Sequence, residues 1–383
     1  MEEIKQKPKV TDTLNLCMSF AAKNTVMVVA FFAAAITSII IPIDSKYIEY
    51  FDFKTLTCLF CVLAVVCALK NINFFYLLAQ KIIVLFKDLR KSVIALVYIT
   101  FIGSMFIAND MALLTFLPLG FFVLHATKKE KYMAFLFIMQ NIAANLGGML
   151  TPFGNPQNLY LYTRFKIPNL EFIKIMFPPF VFSVTLITAC CIIFVKPEPL
   201  ELEDTKIELN PKRTILYLML FALAIAIVFR GIPYYIGLII IPLVLLFADK
   251  KALKMVDYPL LFTFVFFFIF SGNMSRISAV RNFFSFLLSK SALIFSTLSC
   301  QLISNVPSAI LLSRFTENYK DLLVGVNIGG VGTLIASLAS LITFREYVKN
   351  NPGKSGKYIG EFSLFNFSFL ILLLLFMLLL KIV

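Results

Sequence analysis

From Phe362 to Leu380 the chain carries no charged side chain, and the same is true of Val26 to Ile43 and of Tyr258 to Phe270. Runs of this kind are at home in hydrocarbon, where crossing roughly 30 Å takes about 20 helical residues. Lipid can then cover most of the chain, so no single water-excluding core is required. Composition agrees: 60% of the residues are apolar and 15% charged, with a mean hydropathy of +0.89, whereas a soluble domain carries about a quarter charged residues. The expected fold class is an all-α polytopic membrane protein. A basic-then-apolar leader with a cleavage site is not apparent, so Val26–Ile43 is expected to be a retained span.

The further apolar segments read as Phe53–Leu69, Ser92–Ala108, Met111–His125, Tyr132–Tyr162, Phe172–Val195, Thr214–Phe229, Ile232–Ala248, Ser291–Ser304, Ser308–Phe315 and Leu322–Phe344. Met111–His125 and Ser308–Phe315 are short for a crossing and predict the returning arms of re-entrant hairpins. This gives about nine full crossings and two hairpins. Two stretches, Asn73–Lys91 and Arg276–Lys290, are amphipathic at helical period and suit the interface plane; each precedes one hairpin.

The net charge of +14 does not point to nucleic acid. The Lys and Arg residues sit in short loops between apolar segments, and their bias places the N-terminus in the cytoplasm of a plasma (inner) membrane. The seven Cys fall mostly within apolar spans. Cys58 and Cys61 have the spacing of half a zinc site but no second pair or His beside them, so packing explains them.

An internal repeat organises the chain. Asn145-Leu-Gly147-Gly148-Met-Leu-Thr151 aligns without a gap on Asn327-Ile-Gly329-Gly330-Val-Gly-Thr333, and upstream Ala108-Asn109-Asp110 corresponds to Ser304-Asn305-Val306. Counting crossings makes the halves inverted, an arrangement common in secondary transporters. The first repeat is expected over 24–195, with a hairpin at 92–125 and a broken helix at 132–162. A linker at 196–213 leads to the second repeat over 214–383, with a hairpin at 291–316 and a broken helix at 320–347; residues 1–23 form a cytoplasmic segment.

Polar backbone at membrane depth is tolerated only where protein packs on it or a cavity is lined by it. No helix runs easily through Gly147-Gly148, Pro152 and Pro156. A break exposes carbonyls, which suit Na⁺, and N–H groups, which suit an anion. Close helix packing is the competing reading for paired glycines; duplication behind an Asn-bearing tip favours a site. Asp110 is the one carboxylate well inside an apolar stretch: an N-cap, a coupling-ion ligand or a proton carrier. His125 reads as an interfacial residue, and Arg276, Arg281 and Arg314 as interfacial cations that also suit steering of an anion. Nothing pairs a nucleophile with a base, so no enzyme is expected.

The stretches Ala108-Asn109-Asp110-Met-Ala-Leu-Leu-Thr115-Phe-Leu-Pro118, Asn145 to Asn158, Gln301 to Ala309 and Gly325 to Thr333 resemble the citrate-transporter-like branch of the ion transporter superfamily, which also holds divalent anion–sodium symporters, arsenite pumps and a type of Na⁺/H⁺ antiporter. The resemblance implies a homodimer in the lipid bilayer, with a transport domain sliding against a scaffold as an elevator and with no cofactor beyond a coupling Na⁺ or H⁺. It implies a small anionic substrate, a di- or tricarboxylate such as citrate. Substrate is expected at Asn109, Asn145, Thr151, Asn305, Asn327 and Thr333. The coupling ion is expected at Asp110, Asn109, Gly147, Gly148, Ser304, Asn305, Gly329 and Gly330, with no metal other than a transported Na⁺. Dicarboxylate members carry Ser-Asn-Thr at both tips; here only the Asn is common to the two, and Asp110 opens proton coupling. Arsenite or antimonite efflux, Na⁺/H⁺ antiport and a channel remain as alternative readings.

Overall fold

The computed structural model describes residues 24–77, 86–199 and 210–382. The amphipathic stretch expected at Asn73–Lys91, the 196–213 linker and the 1–23 segment lie wholly or partly outside these residues. Every regular element described is helical, and nine of the helices are long and apolar enough to cross a membrane. With no water to bond exposed backbone, helices that pair their own N–H and C=O groups are the spanning solution this composition favours.

In chain order the first half contains α1 (Thr25–Ile40), α2 (Phe53–Asn71), α3 (Leu89–Ile107), α4 (Asn109–Ala126), α5 (Met133–Gly147), α6 (Pro156–Arg164) and α7 (Asn169–Phe194). The second half contains α8 (Pro211–Val228), α9 (Tyr234–Ala248), the short α10 (Lys250–Met255), α11 (Tyr258–Arg276), α12 (Ser278–Ile303), α13 (Asn305–Leu312), α14 (Tyr319–Ile328), α15 (Leu338–Asn350) and α16 (Ser355–Ile382). Helix α1 packs along α11, and α2 against α8 and α9. The two halves meet where α6 lies against α13 and α14, and where α15 lies against α4 and α5.

The count of nine matches the expectation, but by a different set of helices. Met111–His125 belongs to α4, which starts at Asn109 and has 18 residues, so length alone does not mark it as a returning arm. The corresponding arm of the second half, α13, has only 8 residues. Helix α12 is bent at Ser291, whose φ of −164° and ψ of 102° leave the helical region. The Ser291 hydroxyl accepts from the Ile294 N–H at 3.2 Å and so caps a new helix there. The amphipathic stretch expected up to Lys290 is thus a separate segment from the arm that follows. The arm α3 begins in the same way, with the Asp88 carboxylate accepting from the Lys91 N–H at 3.0 Å.

The base of the α3–α4 pair is tied to the start of the linker. The Leu89 N–H donates to the Glu198 carbonyl, and Lys129 and Lys131 both donate to the Glu198 carboxylate. Those ammonium groups hold its carboxyl far below the usual range, at about 2. At the far end of α11, Arg276 grips Asp44 with two bonds of 3.1 and 2.7 Å and donates to the Tyr50 hydroxyl at 3.1 Å. Arg276 therefore fixes the Ser45–Tyr50 turn. His125 stacks on Phe121 and pairs with Glu130 at 3.1 Å, as suits an interfacial residue.

A single residue joins each helix pair at its tip. Ala108 has φ 63° and ψ 149°, and Ser304 has φ 72° and ψ 159°. That corner of conformational space is close to glycine-only and costs about 1–3 kcal/mol for a residue with a Cβ. The matched geometry holds two helices at an angle that no helix-to-helix connection of ordinary φ allows. Replacing Ala108 by Gly is expected to leave the detergent melting temperature unchanged or raised, and Ala108→Val to lower it by several degrees. Equal melting of both variants would show the tip to be relaxed.

Candidate functional site

Each tip docks on the non-helical break of its own half through one backbone bond. The Asn109 N–H donates to the Gly154 carbonyl at 3.2 Å, and the Asn305 N–H to the Ala336 carbonyl at 2.9 Å. Gly154 and Ala336 are equivalent positions of the sequence repeat. Each Asn, the first residue of its helix, then turns its own side-chain oxygen onto the next backbone N–H, Asp110 at 3.0 Å and Val306 at 2.9 Å, meeting a first-turn donor that has no partner within the helix. The tips are therefore built alike, and the Asn common to both is what builds them.

The breaks fall where the glycines predict. Helix α5 ends at Gly147, a 3₁₀ turn covers Gly148–Leu150, and α6 begins at Pro156, whose missing N–H is no loss at a first helical position. Helix α14 ends at Ile328 and α15 begins at Leu338. The two glycines of each pair do different work. A Cβ on Gly147 would meet the Phe101 carbonyl oxygen of α3, and one on Gly329 would meet Cys300 of α12. These are close helix contacts. A Cβ on Gly148 would instead meet the Asn155 side chain, and one on Gly330 the side chains of Asn305 and Asn145. The second glycine of each pair thus admits the polar groups of the centre.

Those groups form a buried amide network. Asn145 Oδ1 accepts from Asn109 Nδ2 at 3.2 Å and from the Ser337 hydroxyl at 2.8 Å. Asn327 exchanges bonds with the other half, accepting from Asn155 Nδ2 at 3.1 Å and donating to Asn158 Oδ1 at 2.6 Å. Each break also has an amide that collects its loose carbonyls. Asn158 Nδ2 serves Gly148, Met149 and Thr151, all at 3.2 Å. Gln301 Nε2 serves Gly329 and Val331 at 2.9 and 3.2 Å, while its oxygen accepts from the Thr333 N–H. Thr151 and Thr333 donate their hydroxyls to the carbonyls of Met105 and Gln301, near the ends of the first arms. Both threonines bind the break to the arm.

A cavity of about 230 Å³ lies beside this network. Of the residues expected at the site, Asn109, Asp110, Ser304 and Asn305 line it; Asn145 and Asn327 stand behind it, buried, and Thr151 and Thr333 are not in its wall. The first residues of α6 and α15, among them Gln157 and Ser337, complete the polar side, with Arg345 and with Asp257 at the start of α11. The N-termini of α4, α6, α13 and α15 therefore converge here, and their partial positive charges suit an anion. A smaller pocket of about 50 Å³ adjoins, and Asp110 and Asp257 line both. Asp110 Oδ1, Asn155 Oδ1 and Gln157 Oε1 are buried with no partner among the described residues. All three belong to the first break and its tip. Among the described residues no group of His, Cys, Asp or Glu could hold a metal ion.

The family model for citrate transporters matches residues 16–319. The chain belongs to the citrate transporter family. It is 34% identical to the uncharacterized transporter MJ0456 of Methanocaldococcus jannaschii, over 84% of this chain and 88% of the relative. To the inner membrane protein YbiR of Escherichia coli it is 28% identical, over 77% of this chain and 80% of the relative. This member of the citrate transporter family is thus a multi-pass membrane transporter, and not an enzyme.

Sequence reasoning missed Gln301, Asn158, Asp257 and Arg345 as parts of the centre. Asn158 stands in a stretch visibly polar for a span, and Gln301 opens the stretch Gln301 to Ala309 that carries the family resemblance, so their signal was present. Asp257 and Arg345 sit at helix ends, where a charge reads as interfacial. Asn158→Leu would strand three carbonyls and the Asn327 amide, and each unmet buried group costs about 1–3 kcal/mol. The variant is expected to melt well below the parent in detergent, and parent-like melting would show that the amide does not hold the break.

Proposed function

We propose that this chain is a secondary active transporter of a small anion, a di- or tricarboxylate such as citrate, coupled to Na⁺ or H⁺. The observation that carries the reading is the cavity where both Asn-bearing tips and four helix N-termini meet. Neutral amides, helix N-termini and Arg345 supply donors for carboxylate oxygens. Asn109 and Asn305 bind substrate at the wall, while Asn145, Asn327, Thr151 and Thr333 keep that wall in register from behind.

Cation coupling belongs to the first half, in this reading. The unpartnered oxygens of Asp110, Asn155 and Gln157 are acceptors in want of a cation or proton, and the second break has no such set among the described residues. Ser304 and Gly330 then serve the substrate side more than the ion, and Gly329 the packing of α14 on α12. The cavity is walled by residues of 24–91 and 214–290 on one side and of 92–195 and 291–383 on the other. We assign the former as scaffold and the latter as the moving domain of an elevator whose two repeats are inverted, with re-entrant tips. A homodimer in the inner membrane with a cytoplasmic N-terminus completes the proposal. The two acids in the cavity, Asp110 and Asp257, favour one second reading, Na⁺/H⁺ antiport, which would show as Na⁺-driven proton flux without an organic substrate.

Uptake of labelled citrate into proteoliposomes under imposed Na⁺ and H⁺ gradients tests the proposal. Losing one hydrogen bond to a charged ligand costs about 1.5–3 kcal/mol, so Asn109→Ala and Asn305→Ala should each weaken uptake roughly ten- to a hundredfold, with melting lowered by several degrees because each Asn also holds its tip. Undiminished uptake by both would remove them from the site. Asp110→Asn is expected to abolish gradient-driven accumulation and to retain citrate exchange; accumulation that persists would place coupling elsewhere.

A further inference from the structure

A second cavity, of about 490 Å³, lies at the other end of the molecule. Helix α11 relates the two. At its start Asp257 lines the central cavity, and at its end Arg276 bonds Tyr50, which lines the second one. Its 19 residues separate the ends by roughly 28 Å. Two other elements run from one cavity to the other. Helix α6 begins at Pro156 and Gln157 in the central wall, and its last turn, with Thr163 and Arg164, lines the second cavity. Helix α13 begins at Asn305 in the central wall and is followed by Arg314 in the second.

The second cavity is basic. Lys54, Arg164, Lys166, Arg230 and Arg314 line it, against the acids Glu49 and Asp52, a balance of five cations to two anions. Asp52 is already engaged, accepting from the N–H and hydroxyl of Thr55 as the cap of α2. Among the described residues no ion pair reaches any of the five cations. Arg230 and Arg314 are held in place by backbone carbonyls, donating to Tyr162 at 2.7 Å and to Tyr50 at 2.8 Å, and Arg230 lies over the Tyr162 ring. Arg314 keeps a buried Nε with no partner. Helix ends explain part of this: a cation in the last turn of α6 complements its dipole. They do not explain Lys54, which sits in the first turn of α2, where a cation opposes the dipole. Lys166 and Arg230 stand at φ 50° and 64° because each closes its helix as the left-handed residue of a Schellman end, with the next N–H bonded to the Tyr162 and Ala226 carbonyls.

What separates the two cavities is thin and closed. Tyr160 of α6 is buried, donates to or accepts from the Ser313 hydroxyl at 2.8 Å, and packs its ring on Phe268 of α11. The nine residues of α6, with Tyr160 at their middle, span roughly 13 Å between the central cavity and the basic one.

We propose that the basic cavity is the anion-capturing vestibule of the opposite access pathway: it concentrates a small multivalent carboxylate above the Tyr160–Ser313 seal, from which the substrate passes to the tips when that seal opens. This rests on the anion-transport reading given above. A converging set of unpaired cations over low-dielectric walls raises the local anion concentration and the association rate by tenfold or more, in a salt-dependent way.

The potential can be read without transport. Thr163→Cys in purified protein is labelled with an anionic and with a cationic methanethiosulfonate of similar size, the parent serving as blank. The anionic reagent is expected to react about tenfold faster at low salt, with the preference falling as salt rises. Combined K54Q, R164Q and K166Q should erase the preference, and citrate in the millimolar range should slow labelling more than chloride of equal ionic strength. Equal rates, a preference for the cation, or a preference that survives the triple change would overturn the proposal. Labelling slowed by phosphatidylglycerol micelles but not by citrate would also overturn it, in favour of a lipid headgroup site. In proteoliposomes the triple variant should raise KM severalfold for citrate offered at the vestibule face, leave kcat unchanged, and not affect entry from the other face. A chain that labels as expected yet moves no anion would refute the transport reading while leaving the vestibule standing.

Discussion

Everything at the centre of this protein depends on one requirement: a helix broken in lipid leaves backbone groups that water cannot reach, and each must be met from within. The chain breaks two helices, at Gly147–Pro156 and at Gly329–Leu338. It then answers chiefly with amides, because an Asn or Gln side chain offers two N–H donors and an acceptor oxygen without a charge. Asn158 and Gln301 collect the freed carbonyls of their respective breaks. Asn145 and Asn327 reach across to the other half, at Ser337 and at Asn155 and Asn158. A network of this kind is valuable only when fully satisfied, which makes its three unmet acceptors, on Asp110, Asn155 and Gln157, the informative exception.

The same requirement explains the tips. A tight turn between two buried helices leaves N–H groups to be met, and the docking bonds from Asn109 to the Gly154 carbonyl and from Asn305 to the Ala336 carbonyl satisfy one at each tip. Ala108 and Ser304 accept an unfavourable backbone so that those bonds can form. Strain of this order persists where surrounding contacts over-determine it, and here those contacts are also the wall of the central cavity. Lining the central cavity and packing the tips on the breaks are therefore one structural problem solved by one set of side chains.

Seen along α6 and α13, the molecule has two polar cavities and a short plug. One cavity is rich in helix N-termini, amides and two acids; the other is rich in cations. An arrangement with a selective site on one side and a wide electrostatic catchment on the other suits a carrier whose substrate is charged. The seal of Tyr160, Ser313 and Phe268 is built from residues of both halves and of α11, so any movement of one half against α11 acts on it directly.

Much of this was legible in the chain. The helical class followed from apolar runs such as Phe362–Leu380, and the breaks from Gly-Gly placed before Pro152 and Pro156. The tip asparagines followed from their recurrence before a repeated Asn-x-Gly-Gly. These are local signals, fixed by backbone chemistry and by what lipid tolerates. Other features were decided only in three dimensions. Gly147 and Gly329 proved to be packing contacts and Gly148 and Gly330 openings to the polar centre, a distinction set by the neighbour across the interface. Thr151 and Thr333 bond to the arms because those carbonyls lie nearest. Asp257, Arg345 and the five vestibule cations are ordinary helix-end charges by sequence, brought together by folding from distant segments. Sequence determined where the backbone must break and what kind of side chain must mend it; the tertiary structure decided which charges face one another, because long-range placement depends on how helices pack and no local pattern encodes it.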